Sequence, residues 1–169
     1  MDYFSHAIWS YIFFNKSKKP LYAILFGVLP DTFSWLIYFF YRLFTAKVNY
    51  GPPVLENFPP WILPLYGLSH SLIICAAIFL VVYLVYKKIP IYMLAWPIHI
   101  LIDIPTHTRE VLPTPFLWPI SDWAFPGMSW ATRWFFILNW SLIIVIIILI
   151  LFKKRGWYPK WILKKSMQK

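Results

Sequence analysis

One apolar run constrains the fold of this chain more than any other feature. From Trp134 to Phe152 the sequence contains no charged residue. A helix of about 20 predominantly apolar residues is long enough to cross the hydrocarbon core of a bilayer. Only 13% of the 169 residues are charged, whereas globular domains carry about a quarter. These features argue against a soluble enzyme, a disordered chain and a disulfide scaffold, and they predict a small polytopic membrane protein.

Five apolar segments follow one another along the chain. The first, Tyr3–Phe14, is too short to cross about 30 Å of hydrocarbon, so it is predicted to be an amphipathic or re-entrant helix. The remaining four are predicted spans: Leu21–Phe44, Leu68–Tyr86, Ile91–Ile104 and Trp134–Phe152. The predicted fold is an all-α membrane bundle of four spans plus a short N-terminal helix. It forms one domain over 1–156, followed by a basic, aromatic interfacial tail over 157–169.

The basic residues, which give a formal net charge of +10, flank the apolar segments. Such clustering is typical of the cytoplasmic ends of membrane spans. It predicts a multi-pass protein of the plasma (inner) membrane, with two proline-rich, irregular outer loops over about 45–66 and 105–133. We expect membrane lipid as a partner and no nucleic acid. The clusters are Lys16, Lys18 and Lys19, then Lys87 and Lys88, then the basic residues after Phe152.

Six ionisable residues lie within or beside the apolar segments, where a charged group costs about 3 kcal/mol on insertion scales. Such residues usually face a cavity, pair with one another or bind a ligand. They include all four histidines of the chain. The six are His6, Asp31, His70, His99, Asp103 and His107.

His99 and Asp103 are four residues apart, which predicts that they share one helix face. An imidazole and a carboxylate at that spacing can chelate a divalent ion. The alternative is a hydrogen-bonded His–Asp pair that stabilises the bundle. His107 continues the spacing, but Pro105 predicts that the helix stops before it, so His107 is expected just past the helix end.

The other three residues are ambiguous when each is taken alone. His70 is either a ligand or a residue that caps the start of the third segment. Asp31 follows Pro30, which predicts a break and a second half-helix with Asp31 near its positive end; the alternative is a simple helix cap. His6 lies in the first apolar segment and has no distinctive context.

The predicted topology brings these residues together, mostly in the outer half of the membrane. Convergence of several His and Asp residues from different segments predicts a divalent metal site, with zinc as the ion that takes this ligand mixture. The outer acids Glu110 and Asp122 are candidates for a general base or a further ligand, or are ordinary loop acids. The sequence has no HExxH, no GxSxG and no phosphate-binding glycine loop, so the commonest hydrolase motifs are absent.

With these residues the chain resembles the YdjM-type family of LexA-binding, inner membrane-associated, metal-dependent hydrolases. That family is similar, in the order of its His and Asp residues, to zinc-dependent phospholipases C and P1-type nucleases, which hydrolyse phosphate esters. The motifs that carry the resemblance are His6, Gly27–Asp31, Gly67–Ser71, His99–Asp103 and Leu117–Pro119.

The resemblance implies a first ion held by His70, His99 and Asp103. It implies further ions held with the help of the remaining residues, His6, Asp31 and His107. The function that follows is a membrane-bound hydrolase of phosphate esters or other lipid-like, amphipathic substrates, using a metal-activated water on the extracytoplasmic side. Asp122 or Glu110 is predicted to take the proton. The alternatives are a small transporter or proton/metal relay that uses the same residues, and a noncatalytic membrane scaffold.

Overall fold

A computed structural model describes residues 1–45, 58–110 and 112–156 of the chain. Every regular element among these residues is a helix, so the predicted all-α class is confirmed. The helices in the first part of the chain are shorter and carry the candidate site. The helix at the end of the described chain is longer and contains the charge-free run.

The chain divides into two compact units, Met1–Thr132 and Arg133–Lys169. The first unit contains six α-helices and every residue of the predicted site. The described part of the second unit is one helix. The predicted interfacial tail, 157–169, lies outside the described residues, and the single domain over 1–156 stays a prediction.

Helix α1, Tyr3–Phe14, has the bounds predicted for the first apolar segment. Asp2 caps its start, because a side-chain oxygen accepts a hydrogen bond from the Ser5 amide at 2.9 Å. Its 12 residues make a helix about 18 Å long, shorter than a bilayer core. The helix buries serine and histidine together with Ile12 and Phe14, while Phe4 and Phe13 are exposed.

The second apolar segment forms a continuous but irregular helical rod. Helix α2, Pro20–Asp31, passes directly into a π-helical turn, Thr32–Leu36, and then into α3, Ile37–Thr45. Pro30 has no amide hydrogen and so leaves one helical hydrogen bond unmade. The Ser34 hydroxyl donates to the Pro30 carbonyl at 3.0 Å and satisfies part of the disturbed backbone.

The half-helix expected to begin at Asp31 is therefore not formed. Asp31 is the last residue of α2 and has helical backbone angles, φ −68° and ψ −44°. The chain absorbs Pro30 by widening into a π turn instead of ending the helix, as π-bulges do at many functional sites. Asp31 consequently lies in mid-helix and not at a positive helix end.

The third segment is bent where the sequence predicts a continuous span. Helix α4, Ile62–His70, and helix α5, Leu72–Tyr86, meet at an angle of 56°. Ser71 is extended at the break, and its hydroxyl accepts hydrogen bonds from the Ile73 and Ile74 amides at 3.1 and 3.2 Å. This serine cap starts α5 as a new helix. The outer loop predicted to reach residue 66 is shorter than expected, because α4 occupies its end.

The fourth segment begins with a 3₁₀ turn, Ile91–Leu94, and continues as α6, Ala95–Thr106. Pro105 lies inside the last turn of α6, so the helix continues past the proline, where the sequence predicts that it stops before it. His107 follows in an extended conformation, as expected. The last helix, α7, Arg133–Lys154, contains the whole charge-free run.

Two helical stretches are long and apolar enough to cross a membrane, Pro20–Thr45 and Arg133–Lys154. The number rises to three if the bent pair of α4 and α5 forms one span. The stretch Ile91–Thr106 is apolar but shorter. Two or three candidate spans are thus present among the described residues, and the prediction of four stays a prediction.

Close approach of α1 to α2 brings the polar residues of the first unit together. A Cβ at Gly27 would lie 1.8 Å from the Ser10 hydroxyl oxygen, so only glycine permits this spacing. Ala23 in α2 and Ala95 at the start of α6 are fully buried. Small residues at such contacts let helix backbones pack closely, and the polar side chains of α1, α2 and α6 therefore reach one another.

The loop after α6 covers two helix ends. The Phe116 carbonyl accepts a hydrogen bond from the Leu72 amide at 3.0 Å, and Ser71 donates to the Trp118 carbonyl. Further along, the Met128 and Trp130 amides donate to carbonyls in the last turn of α6. These contacts satisfy backbone groups that would otherwise lack partners at helix ends.

Candidate metal centre

Helix α6 places His99 and Asp103 one above the other on its buried face. His99 Nε2 lies 3.1 Å from Asp103 Oδ2, and both side chains are fully buried. The prediction that the four-residue spacing puts them on one face is confirmed.

Asp31 from α2 and His70 from the end of α4 complete a group of four. One ligand atom from each of Asp31, His70, His99 and Asp103 lies within 4.8 Å of all the others. His70 Nε2 is 3.4 Å from Asp31 Oδ1, 3.7 Å from Asp103 Oδ2 and 3.3 Å from His99 Nε2. His99 Nε2 is 3.9 Å from Asp31 Oδ1. These four residues, hereafter the cluster, lie close enough to bind a metal ion.

The separations within the cluster match those of a tetrahedral ion. Ligand atoms about 2.0–2.1 Å from a tetrahedrally coordinated zinc are about 3.3–3.4 Å from one another. Five of the six separations run from 3.1 to 3.9 Å, and the sixth, between Asp31 and Asp103, is within 4.8 Å. A small contraction around an ion would bring all four atoms to bonding distance.

The two cluster histidines face each other through their Nε2 atoms. His99 Nδ1 is 2.6 Å from the Gly27 carbonyl oxygen, which can only accept, so Nδ1 carries the hydrogen. His70 Nδ1 is 3.2 Å from the Tyr66 carbonyl and 2.9 Å from the Ser69 hydroxyl. In its neutral form each ring then has an unprotonated Nε2, the form in which a histidine binds a metal ion. The two Nε2 atoms are 3.3 Å apart, which leaves room for one cation bound to both.

Asp103 adds a further unsatisfied acceptor to the cluster. Its Oδ2 is buried and has no hydrogen-bond partner among the described residues. A buried carboxylate oxygen without a donor is costly. A histidine that binds a metal usually donates the hydrogen on its other ring nitrogen to a backbone or side-chain acceptor. His70 and His99 both have such partners.

His6 and His107 lie on the other side of Asp103. His6 Nε2 is 2.8 Å from Asp103 Oδ1, and His107 Nδ1 is 3.7 Å from the same oxygen. The amino group of Met1 also contacts it. The structure thus brings the other five ionisable residues of the apolar segments near Asp103, three in the cluster and two beside it. His6 also stacks on His99, with ring centroids 3.6 Å apart.

Burial keeps these two neighbouring histidines neutral. It lowers the pKa of His6 to about 4 and that of His107 to about 3, although the negative charge of Asp103 acts in the opposite direction. Both rings are therefore uncharged near pH 7. His107 Nδ1 also lies 3.1 Å from the Thr114 hydroxyl in the covering loop.

The two acids predicted as candidates for the general base lie outside this group. Glu110 and Asp122 are exposed. Among the described residues, neither forms an ion pair with a cluster histidine. Their role stays a prediction.

Several residues around the cluster carry no sequence signal of their own. The Gly27 carbonyl is a backbone group, and Thr114 is an ordinary loop residue. Tyr66 has one recognisable relation, since it precedes His70 by one helical turn, and its ring stacks on His70 with centroids 3.8 Å apart. That spacing could have identified it only if α4 had been predicted to extend to His70.

Comparison of the chain with family models, with curated proteins and with solved structures gives no match. The resemblance to YdjM-type hydrolases accordingly stays a prediction. What can be said of function comes from the cluster and from the surface of the helices that hold it.

Proposed function

We propose that this protein is a membrane-bound, metal-dependent hydrolase that acts on phosphate esters or lipid-like substrates. The observation that carries the proposal is the convergence of four acceptor atoms in a buried site. Two are imidazole nitrogens, and two are carboxylate oxygens. Such a group is stable with a cation at its centre and poorly stable without one.

The donor set fits zinc. Imidazole nitrogen and carboxylate oxygen are both zinc ligands, and a catalytic zinc keeps a position for water by using three protein ligands or by expanding to five ligands in all. Asp31 Oδ1, His70 Nε2, His99 Nε2 and Asp103 Oδ2 would hold the ion. When bound, a divalent ion supplies Lewis-acid polarisation of a phosphoryl oxygen and a lowered pKa for water.

Access to the cluster favours an amphipathic substrate. The Asp31 side chain is 10% exposed, whereas those of His70 and Asp103 are fully buried. Its neighbours along the helix, Leu29 and Phe33, expose apolar side chains. The cluster is therefore least enclosed at Asp31, and the helix that carries Asp31 exposes apolar side chains on its other face, where a lipid-like molecule gains contact area.

The distribution of polar and apolar residues supports a membrane location. In the described part of the first unit, the four histidines, Asp31, Asp103 and several serines are buried, while many large apolar residues are exposed. A soluble protein rarely exposes so much apolar surface, but the bilayer core favours it. The basic clusters further support a multi-pass arrangement in the plasma (inner) membrane with the site toward the extracytoplasmic side.

The proposal is tested with purified protein in vesicles that contain phosphatidic acid as the phosphate ester. We expect phosphate release that a chelator abolishes and that added zinc restores. Asp122→Asn and Glu110→Gln test the base: the variant that loses release while keeping its zinc identifies the proton acceptor. Bound zinc without phosphate release from phosphatidic acid or from a soluble phosphate monoester would overturn the hydrolase proposal.

A transporter or metal relay is the second candidate, and helix irregularity favours it. Asp31 directly precedes the π turn, and His70 directly precedes the bend between α4 and α5. Ligands at interrupted helices are typical of transporters. Zinc flux across the vesicle membrane without phosphate release would support this function in place of the hydrolase.

A further inference from the structure

The Tyr66 hydroxyl is a buried donor next to the cluster, and it forms no hydrogen bond with another described residue. Tyr66 is 2% exposed, and its hydroxyl has no hydrogen-bond partner among the described residues. Large buried tyrosines usually direct the hydroxyl to an acceptor. An unpartnered buried donor in a native structure requires an explanation.

The surroundings of Tyr66 orient it toward the cluster. Its ring is nearly parallel to that of His70, at an interplanar angle of 26°. The hydroxyl is close enough to the carboxylates of Asp103 and Asp31 to interact with both electrostatically. The Thr114 hydroxyl also lies near it without meeting hydrogen-bond geometry, and Thr114 is already in contact with His107 Nδ1.

Packing alone does not account for the hydroxyl. The ring fills space between His70 and Trp35, whose ring centroid is 5.9 Å away. A phenylalanine would fill the same space without burying an unsatisfied polar group, which costs on the order of a tenfold or greater loss in the folding equilibrium. The presence of a hydroxyl at this position therefore points to a ligand that accepts a hydrogen bond from it.

Charge indicates what kind of ligand this is. The two cluster carboxylates balance a divalent ion, so a loaded centre has little net charge to attract an anion. Within residues 1–45, 58–110 and 112–156, no lysine or arginine forms an ion pair with Asp31 or Asp103, and the Met1 amino group contacts Asp103 Oδ1 and not the Oδ2 of the cluster. An anionic oxygen at the centre thus needs a neutral donor, and hydrogen bonds to charged groups are stronger than neutral ones.

We propose that the Tyr66 hydroxyl donates a hydrogen bond to an anionic phosphoryl oxygen bound at the cluster. This inference rests on the proposed function and adds a substrate-binding residue to it. The hydroxyl is held in place by its ring before the ligand arrives, so it binds the oxygen without reorganisation.

The test compares Tyr66→Phe with wild type and with Tyr83→Phe, a control that removes an exposed hydroxyl from α5. Three quantities are measured: the melting temperature without metal, the affinity for zinc, and the affinity of the zinc-loaded protein for inorganic phosphate. In Tyr66→Phe we expect an unchanged or higher melting temperature, unchanged zinc affinity, and phosphate binding weakened by about ten- to a hundredfold. Tyr83→Phe should match wild type in all three.

Two results would overturn the inference. A lower melting temperature with unchanged phosphate affinity would show that the hydroxyl is structural. Absence of phosphate binding by zinc-loaded wild type would remove the ligand itself and count against the phosphate-ester substrate as well. The two failures are distinguishable, because in the first case wild type binds phosphate and in the second it does not.

Discussion

Helices α6 and α7 differ in what their sequences specify. Helix α7 has 22 residues, and Asn139 and Ser141 are its only polar side chains between Arg133 and Lys153. Helix α6 has 12 residues and contains two prolines, a histidine and an aspartate. The longer helix has the length and composition of a membrane span, and it has no ionisable side chain between Arg133 and Lys153. The shorter helix supplies half of the cluster and is too short to cross a bilayer alone. Apolar length and reactive groups are thus carried by different elements.

The largest expected effect comes from removing the chemistry of α6. The double substitution His99→Ala, Asp103→Ala deletes two of four ligand atoms. We expect at least a thousandfold loss of zinc affinity, about 4 kcal/mol. Metal content and competition titration measure it, with Ser141→Ala in α7 as the control that should bind zinc like wild type. Equal zinc affinity in the double variant and wild type would refute the metal centre.

Introducing a charge into α7 should produce the next largest effect. Ile144→Asp adds a carboxylate to the middle of the charge-free run. We expect a cost of roughly 3 kcal/mol on insertion, measured as a lower inserted fraction in a membrane-integration assay. Ile144→Leu is the matched control. Unchanged insertion of Ile144→Asp would mean that α7 does not lie in a bilayer.

A packing substitution in α2 sharpens the contrast between a crowded helix and an apolar one. Gly27→Ala places a methyl group where the Ser10 hydroxyl oxygen would be 1.8 Å away. Forcing α1 and α2 apart should cost about 2 kcal/mol of stability and displace His6 from Asp103. Thermal unfolding in detergent measures the loss. Adding Ser10→Gly should restore most of it, and failure of this rescue would contradict the steric explanation.

The smallest expected effect concerns the bend at Ser71. Ser71→Ala removes the acceptor for the first amides of α5 and the hydrogen bond to the Trp118 carbonyl. Loss of a serine cap costs about 1 kcal/mol, which thermal unfolding should detect. Ser71→Thr, which keeps the hydroxyl, should lose much less. A similar loss in both variants would assign the effect to packing and not to the cap.

Sequence patterns predict the α6 pair and the apolar helices for simple reasons. Helical spacing requires His99 and Asp103 to share a face, and charge-free length identifies α7. The bend at Ser71 was not predicted, although Ser69, His70 and Ser71 interrupt the apolar run, because serine and histidine within a span are also compatible with a continuous helix. The π turn after Pro30 was equally hidden, since proline predicts a break and does not reveal how the backbone accommodates it.

The residues of the cluster could be predicted from their types, but the distances between them could not. The expectation that His and Asp from separate segments converge is supported for Asp31, His70, His99 and Asp103. The division that leaves His6 and His107 beside the cluster depends on which carboxylate oxygen each ring faces. Distances of this kind follow from helix packing, and no local sequence pattern encodes them.

The orientation of His99 depends on the Gly27 carbonyl, and this has a consequence for mutation. Every amino acid has a backbone carbonyl, so no substitution at position 27 can delete this acceptor. A side-chain acceptor such as serine or asparagine would be lost by a single codon change. The tautomer of His99 is therefore protected against point mutation at its partner, and only a shift of the helix backbone can change it.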